Sequence, residues 1–304
     1  MSGAQPGARA LEVVRPGALT TLQDAGRPGY AHLGVGRSGA LDAAAYALAN
    51  RLVGNPPDAA VLETTLDGVG LRAGSAGAVT VAVTGAPCAV RVAGRPVAWG
   101  APVRVPAGAE LEVGRAESGV RSYLAVRGGF AVPPVLGSRS TDLLSGLGPA
   151  VPAAGSVLPV GSAGPDPLGG ADVLPAPGAP AELVLPLGPG PRADWFEPAS
   201  LAGLWRSVFR VSARSNRIGL RTEAGTPLVR SRGGELPSEG MVLGAVQVPP
   251  DGLPVVFLAD HPVTGGYPVV GVVPPGPALD AAAQARPGVP VRFTQCRGGL
   301  RGGR

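Results

Sequence analysis

The chain has 304 residues, of which 45% are hydrophobic, 4% aromatic and 15% charged, with a formal net charge of +5. That length carries one large domain or two modest ones, and the apolar share supports a packed core, which excludes wholesale disorder. Gly (49) and Pro (35) fill more than a quarter of the chain with no collagen-like period, so a helical bundle is excluded in favour of many short strands and turns.

Every basic residue is Arg, because the sequence contains no Lys. A Walker-type phosphate loop, Schiff-base chemistry and a biotin-carrying lysine are thereby excluded. The Arg are scattered, apart from a short Arg/Gly tail at Arg297 to Arg304, so compositional bias explains them better than a nucleic-acid surface. Cys88 and Cys296 make no disulfide framework. With His32 and His261 the only histidines, a zinc site is not expected. The N-terminus lacks a basic start followed by an apolar run, and the charge-free stretch 143–165 is too rich in Gly and Pro for a membrane helix. A soluble cytoplasmic protein is expected.

In chain order, the first notable run is Gly17 to Gly29. It sets Thr20, Thr21, Gln23, Asp24 and Arg27 between glycines and reads as a polar loop, with ordinary turn chemistry as the plainer explanation. Gly34-Val-Gly36-Arg-Ser-Gly39 is a literal G-x-G-x-x-G before a helix, and Glu63 follows at a suitable distance. The preceding strand is too short for a dinucleotide fold and no β-α alternation follows, so these glycines read as permitting positive φ. A helix is predicted over Ala40 to Val53, with Ser38 as N-cap and Gly54, Pro56 and Pro57 as the stop.

Strands are predicted at Ala78–Val83, Val90–Val92, Val103–Val105, Glu110–Val113 and Tyr123–Val126, each bounded by Gly or Pro. Residues 161–180 read as a Pro/Gly-rich linker. It separates a β-rich half at 11–160, holding the one long helix (40–53), from a second half at 181–297, with a disordered Arg/Gly tail at 298–304. The second half reads as strands at Ala181–Leu187, Ser207–Ser212, Met241–Val248, Pro254–Ala259 and Val289–Thr294, with short helices at Asp194–Leu204 and Asp280–Ala285. Short strands at this spacing argue for barrels or sandwiches.

Three runs of the second half could carry chemistry. Arg214-Ser215-Asn216-Arg217 suits bidentate capture of a carboxylate or phosphate, or else a solvated turn. Glu239 precedes the Met241–Val248 strand and Gln247 lies near its end. Then Asp260-His261-Pro-Val-Thr264-Gly265-Gly266-Tyr267 delivers acid, imidazole, hydroxyl and phenol into a Gly-Gly loop whose backbone N–H groups could converge on an oxyanion. Adjacent Asp and His on an extended chain point to opposite faces and do not make a triad.

Taken together, LTTLQDAGRPGY (19–30), SGALDAAAYALANRLVGN (38–55), YLAVRGGFAVPPVLGSRSTD (123–142), VSARSNRIGLR (211–221), EGMVLGAVQVPPDGLPVVFLAD (239–260), TGGYPVVGVV (264–273) and AQARPGVPVRF (283–293) carry a resemblance. The chain resembles the family called allophanate hydrolase subunit 2, also described as the C subunit of 5-oxoprolinase or a biotin-dependent carboxyltransferase domain. The resemblance runs from Leu11 to Phe293 and implies a mainly β fold of cyclophilin-like β-barrel halves with few short helices.

It also implies a role as one subunit of an ATP-dependent 5-oxoprolinase, opening 5-oxo-L-proline to L-glutamate with a sister barrel subunit and a third, separate subunit. ATP with Mg²⁺ is the implied cofactor, with a partner subunit as its possible holder. The alternative is a urea carboxylase-like carboxyltransferase that takes carboxylate from biotin on a carrier protein. A non-catalytic regulatory partner of the sister subunit is the third reading. No nucleic acid or membrane enters any of them.

The residues expected to act are Asp260, His261 and Tyr267 in catalysis. Thr21, Gln23, Asp24, Arg27, Arg37, Ser215, Arg217, Glu239, Gln247, Thr264, Gly265 and Gly266 are expected in substrate or anion binding, and no metal ligand is assigned. Three departures stand out: His261-Pro262-Val263 where the family usually shows Arg-Gln-Thr, Asn216 in place of a usual Asp, and few charges over Gly148 to Gly155.

Overall fold

A computed structural model describes residues 9–164 and 181–296. Most of the predicted linker, 165–180, and the Arg/Gly tail lie outside these residues. Of the described residues, 9–27, 38–142 and 146–164 cluster as one unit, and 28–37, 143–145 and 181–296 as a second.

The first unit begins with β1 (Ala10–Arg15), β2 (Leu19–Gln23), α1 (Ala43–Leu52), β3 (Val61–Thr65), β4 (Val69–Ala73), β5 (Val79–Gly85) and β6 (Cys88–Val92). It continues with β7 (Arg95–Val97), β8 (Val103–Val105), β9 (Glu110–Ala116), β10 (Arg121–Val126) and β11 (Val157–Pro159). Two sheets result, in the orders β11-β1-β4-β9-β6-β7 and β2-β3-β10-β5-β8.

Alternation on β6 and β9 puts Val90, Val92, Leu111 and Val113 into one core shared with Leu22, Leu62 and Leu124. β10 breaks the alternation because both its faces are covered. Leu124 and Val126 enter that core, while Tyr123 and Ala125 meet α1 through Ala45, Tyr46, Ala49 and Leu52. The small residues Ala45, Ala49, Ala82 and Ala125 let the helix approach the sheet.

The second unit carries β12 (Leu183–Pro189), α2 (Pro198–Leu204), β13 (Phe209–Val211), β14 (Gly219–Glu223), β15 (Glu239–Gly240), β16 (Ala245–Gln247) and β17 (Val255–Phe257). Then come β18 (Thr264–Gly265), β19 (Val269–Val272), α3 (Pro277–Gln284) and β20 (Pro290–Gln295). Seven of these strands close a barrel in the order β12-β19-β16-β17-β14-β13-β20, sealed by the parallel pairing of β12 with β20. Closure removes exposed edges, which strands this short could not otherwise protect. β15 and β18 pair only with each other, as a small hairpin-like sheet. The mainly β class with few helices is what the sequence patterning predicts. No helix among the described residues is long and apolar enough to cross a membrane.

Local expectations changed in four places. The run from Leu19 to Gln23 is a strand rather than a loop, paired with β3 from Leu19↔Thr65 to Gln23↔Val61. Its polar side chains find partners inside the protein. α1 is capped by Asp42, whose Oδ1 accepts from Ala45 N at 2.9 Å, while Ser38 sits at φ 49° and donates to Thr141 O. The helix predicted over Asp194–Leu204 divides, because Pro198 holds Glu197 extended and opens α2 at its first turn. The strand predicted over Met241–Val248 starts only at Ala245. Gly244, at φ 80°, packs against Val273 O where no side chain fits.

Candidate functional site

The polar residues of the first unit form one buried cluster. Thr21 and Gln23, two apart on β2, share a face, and Gln23 Nε2 donates to Thr21 Oγ1 (3.0 Å) and Thr141 O (2.9 Å). Asp24 is saturated: it accepts from Gly26 N (2.8 Å), Ser138 Oγ (2.6 Å), Ser140 Oγ (2.6 Å) and Arg139 N (2.5 Å). These bonds staple the 138–141 segment alongside β2, where Thr141 N also donates to Leu22 O. Asp24 is thus a carboxylate whose acceptor capacity is spent.

Arg27 is the exception. It is 1% exposed, its Nη2 donates to Ser140 O and its Nε to Val135 O at 3.4 Å. Arg121 and Arg217, also buried, each face a carboxylate, but among the described residues none lies within ion-pair distance of Arg27. Its Nη1 and Gln23 Oε1 are buried with no hydrogen-bond partner.

Glu63 is not placed to hold a ribose. It is 1% exposed, accepts from Leu41 N (3.0 Å) and Tyr123 Oη (2.9 Å), and lies 3.6 Å from Arg121. Tyr123 Oη in turn accepts from Asp42 N at 2.8 Å, so the network fixes the entry to α1. Burial first, then the Glu63 charge, pushes the Tyr123 phenol well above its ordinary value, so it stays protonated as the donor. Gly34 and Gly39 adopt φ of 75° and 104°, and α1 begins beyond them at Ala43, so the G-x-G-x-x-G run is a loop rather than a phosphate cradle.

In the second unit Arg217 and Asp260 form a bidentate ion pair, Nε to Oδ2 at 2.8 Å and Nη2 to Oδ1 at 2.9 Å, with side chains 2% and 0% exposed. Leu143 N adds a bond to Oδ2 at 3.3 Å. Arg217 therefore spends its fork on Asp260. Asn216 and Ser215 build the preceding turn: Asn216 Oδ1 accepts from Ile218 N and Gly219 N, and Ser215 Oγ exchanges bonds with Arg221 backbone. Asn216 thus does locally what an Asp could do there. Arg214 and Arg37 are exposed. His261 stacks on Phe257 (centroids 6.1 Å apart) and its Nδ1 lies 2.8 Å from Pro262 O. A carbonyl only accepts, so Nδ1 carries a proton in this contact.

The remaining expected residues gather around β15 and β18. Glu239 pairs with Gly265 and Gly240 with Thr264. Gln247 Nε2 donates to Tyr267 O at 3.1 Å, and a Cβ on Gly265 would stand 2.7 Å from that nitrogen. Gly266 and Tyr267 are exposed, and the Arg230 guanidinium lies 5.8 Å over the Tyr267 ring. Arg192 grips Glu239 with Nε (3.0 Å) and Nη2, holding that carboxyl below its ordinary range.

Sequence reasoning missed Arg192 and Arg230, which no local motif marks. It also missed Ser138, Ser140 and Thr141, although a Ser-Arg-Ser-Thr run after Gly137 is a visible polar signal. Among the described residues no cluster of three His, Cys, Asp or Glu side chains could hold a metal ion.

A mainly β chain with a closed seven-strand barrel and buried polar loop clusters defines the class. The chain belongs to the family described as carboxyltransferase domain, subdomain A and B, which matches residues 33–295. Among its relatives, it is 38% identical to the C subunit of 5-oxoprolinase from Escherichia coli, over 94% of this chain and 91% of that one. It is 35% identical to the urea amidolyase of Lachancea kluyveri, over 93% of this chain but 17% of that protein. The solved structure of TTHA0988 superposes with a TM-score of 0.84 at 38% identity, over 96% of this chain and 57% of that one.

Proposed function

We propose that this protein works as one subunit of an ATP-dependent 5-oxoprolinase complex in the cytoplasm, opening 5-oxo-L-proline to L-glutamate together with a sister barrel subunit and a third subunit. The observation that carries this reading is the near end-to-end match, in both chains, to a protein named as the C subunit of 5-oxoprolinase.

The chemistry needs negative charge held away from water. A lactam carbonyl is a poor electrophile until its oxygen is activated, and the activated species and the tetrahedral adduct both carry charge on oxygen. Within the first unit, taken by itself, Arg27 is a buried cation that no carboxylate of the described residues offsets, suited to holding such charge. His261 is the residue for proton transfer in this reading. Tyr267, Gln247, Thr264 and the Gly265-Gly266 backbone position the substrate. In this reading Asp260 and Arg217 brace the turn before β14 against the segment after β17 rather than touch the reacting atoms.

ATP with Mg²⁺ supplies the activation when bound. Asp260 is a poor fit for Mg²⁺, because both its oxygens already serve the buried Arg217 fork. In this reading a partner subunit holds ATP.

The test is reconstitution of the purified sister subunits with and without this chain, supplied with 5-oxoproline and ATP. Glutamate formation is expected only with this chain present, and full glutamate formation without it overturns the reading. The urea amidolyase similarity favours a second reading, in which the chain transfers carboxylate from biotin borne on a carrier protein. Recovery of a biotinylated protein bound to this chain, together with inactivity toward 5-oxoproline, would favour it.

A further inference from the structure

We infer that Arg27 and Gln23 form a subsite for a small oxyanion that keeps one proton, of the hydrogen phosphate or bicarbonate type. The inference rests on reading the β2 cluster as part of the substrate machinery.

The geometry begins from two orphan atoms. Gln23 and Arg27 are 0% and 1% exposed, and each is tethered at one end, Gln23 Nε2 to Thr141 O and Arg27 Nη2 to Ser140 O. The other ends, Gln23 Oε1 and Arg27 Nη1, are buried with no partner. A buried charge without a counter-ion and a buried acceptor without a donor are each unfavourable, and a bound ion is one of the ways in which such groups are completed. One orphan donates and carries positive charge, and the other only accepts. Water answers both hydrogen bonds and leaves the charge. A fully deprotonated anion answers Arg27 and repels Gln23 Oε1. A protonated oxyanion answers both, accepting from Nη1 through O⁻ and donating to Oε1 through O–H.

The other arginines expected at anions are engaged or exposed: Arg217 is neutralised by Asp260, and Arg37 and Arg214 lie on the surface. Arg27 is sealed by the segment around Gly148, where a side chain would meet Ser140 O and stand 2.9 Å from Nη2.

Two sources supply this chemistry. A phosphoryl-activated lactam releases phosphate, whereas a biotin-linked reaction handles bicarbonate-derived carboxylate. The experiment uses the full purified chain, without 5-oxoproline or ATP, titrated by calorimetry with inorganic phosphate, bicarbonate or sulfate at matched ionic strength and neutral pH. Saturable binding of phosphate, of bicarbonate or of both is expected, with sulfate weaker. Phosphate alone points to the phosphoryl source and bicarbonate alone to the carboxyl source. Arg27→Met is expected to abolish binding while folding at least as stably as the wild type without ligand, because it removes an unpaired buried charge.

Should Arg27→Met fail to fold, Arg27→Lys decides, with affinity expected to fall by at least about tenfold as the planar fork is lost. Absence of saturable binding overturns the inference, as does equal binding by wild type and the Arg27 variant, or sulfate as tight as phosphate and bicarbonate. Because the readout is binding without turnover, a chain that binds phosphate yet proves dispensable for glutamate formation would refute the oxoprolinase reading and leave the subsite standing.

Discussion

Arg217 and Asp260 meet through two parallel N–H···O bonds of 2.8 and 2.9 Å inside the second unit, both side chains almost fully buried. The pair joins the turn before β14 to the end of the segment after β17, and the backbones reinforce it: Asp260 N donates to Arg217 O at 3.1 Å. Such a pair is weak evidence of net stability, yet breaking it is costly because one charge is left buried. Asp260→Ala is expected to destabilise the protein by about 3–5 kcal/mol. Replacing both residues with apolar ones of similar volume is expected to cost much less. Urea denaturation of the single and double variants checks this, and a double variant no better than the single one contradicts it.

Tyr123 ties Glu63 to the start of α1. Tyr123→Phe removes the donor to Glu63 Oε2 and the acceptor of Asp42 N together. A loss of about 1–3 kcal/mol is expected, with faster hydrogen exchange at the amides of Asp42 and Ala43. Unchanged stability and exchange would show that the network does not hold the helix entry.

Gly265 lies against the Gln247 amide, whereas nothing stands within 4 Å of a Cβ built on Gly240, which pairs with Thr264 in the same small sheet. Gly265→Ala is expected to displace Gln247 from Tyr267 O and raise the KM of the reconstituted complex for 5-oxoproline. Gly240→Ala is expected to behave as the wild type. Equal kinetics for the two variants would remove Gln247 from the positioning role.

Glu239 gives a pH dependence with a defined sign. Its hydrogen bond from Arg192 lowers its folded pKa below the unfolded value. The stabilisation is therefore fully present above the ordinary Glu value of about 4.3 and is lost as pH falls through the lowered folded value. The pair is open to solvent, so the effect is small. The stability difference between wild type and Glu239→Gln, followed by denaturation from about pH 6 to about pH 3, is expected to be constant at first and then to shrink. A difference that grows on acidification reverses the sign and contradicts the argument.

Much of the fold was legible because short strands announce themselves locally. β5 is a Val- and Thr-rich run and Tyr123–Val126 an apolar one, each near turn formers, and the Asp42 to Leu52 stretch carries helical spacing. What misled was polarity. Gln23 and Asp24 look like loop residues, yet they are buried with partners that the 138–141 segment brings from more than a hundred residues away. The same distance hid the true N-cap, since Ser38 is drawn to Thr141 O and leaves the role to Asp42.

By itself, the sequence determined the β class, the absence of lysine chemistry and the residue types available to hold an anion, because composition and short-range periodicity are local properties. Only the tertiary structure decided which of those residues retain unused bonding capacity. Arg217 looks as suited to an anion as Arg27, and the difference is a carboxylate that the barrel delivers to one and that no described residue delivers to the other. Charge neutralisation acts through space at a few ångströms, and position in the chain does not encode that distance.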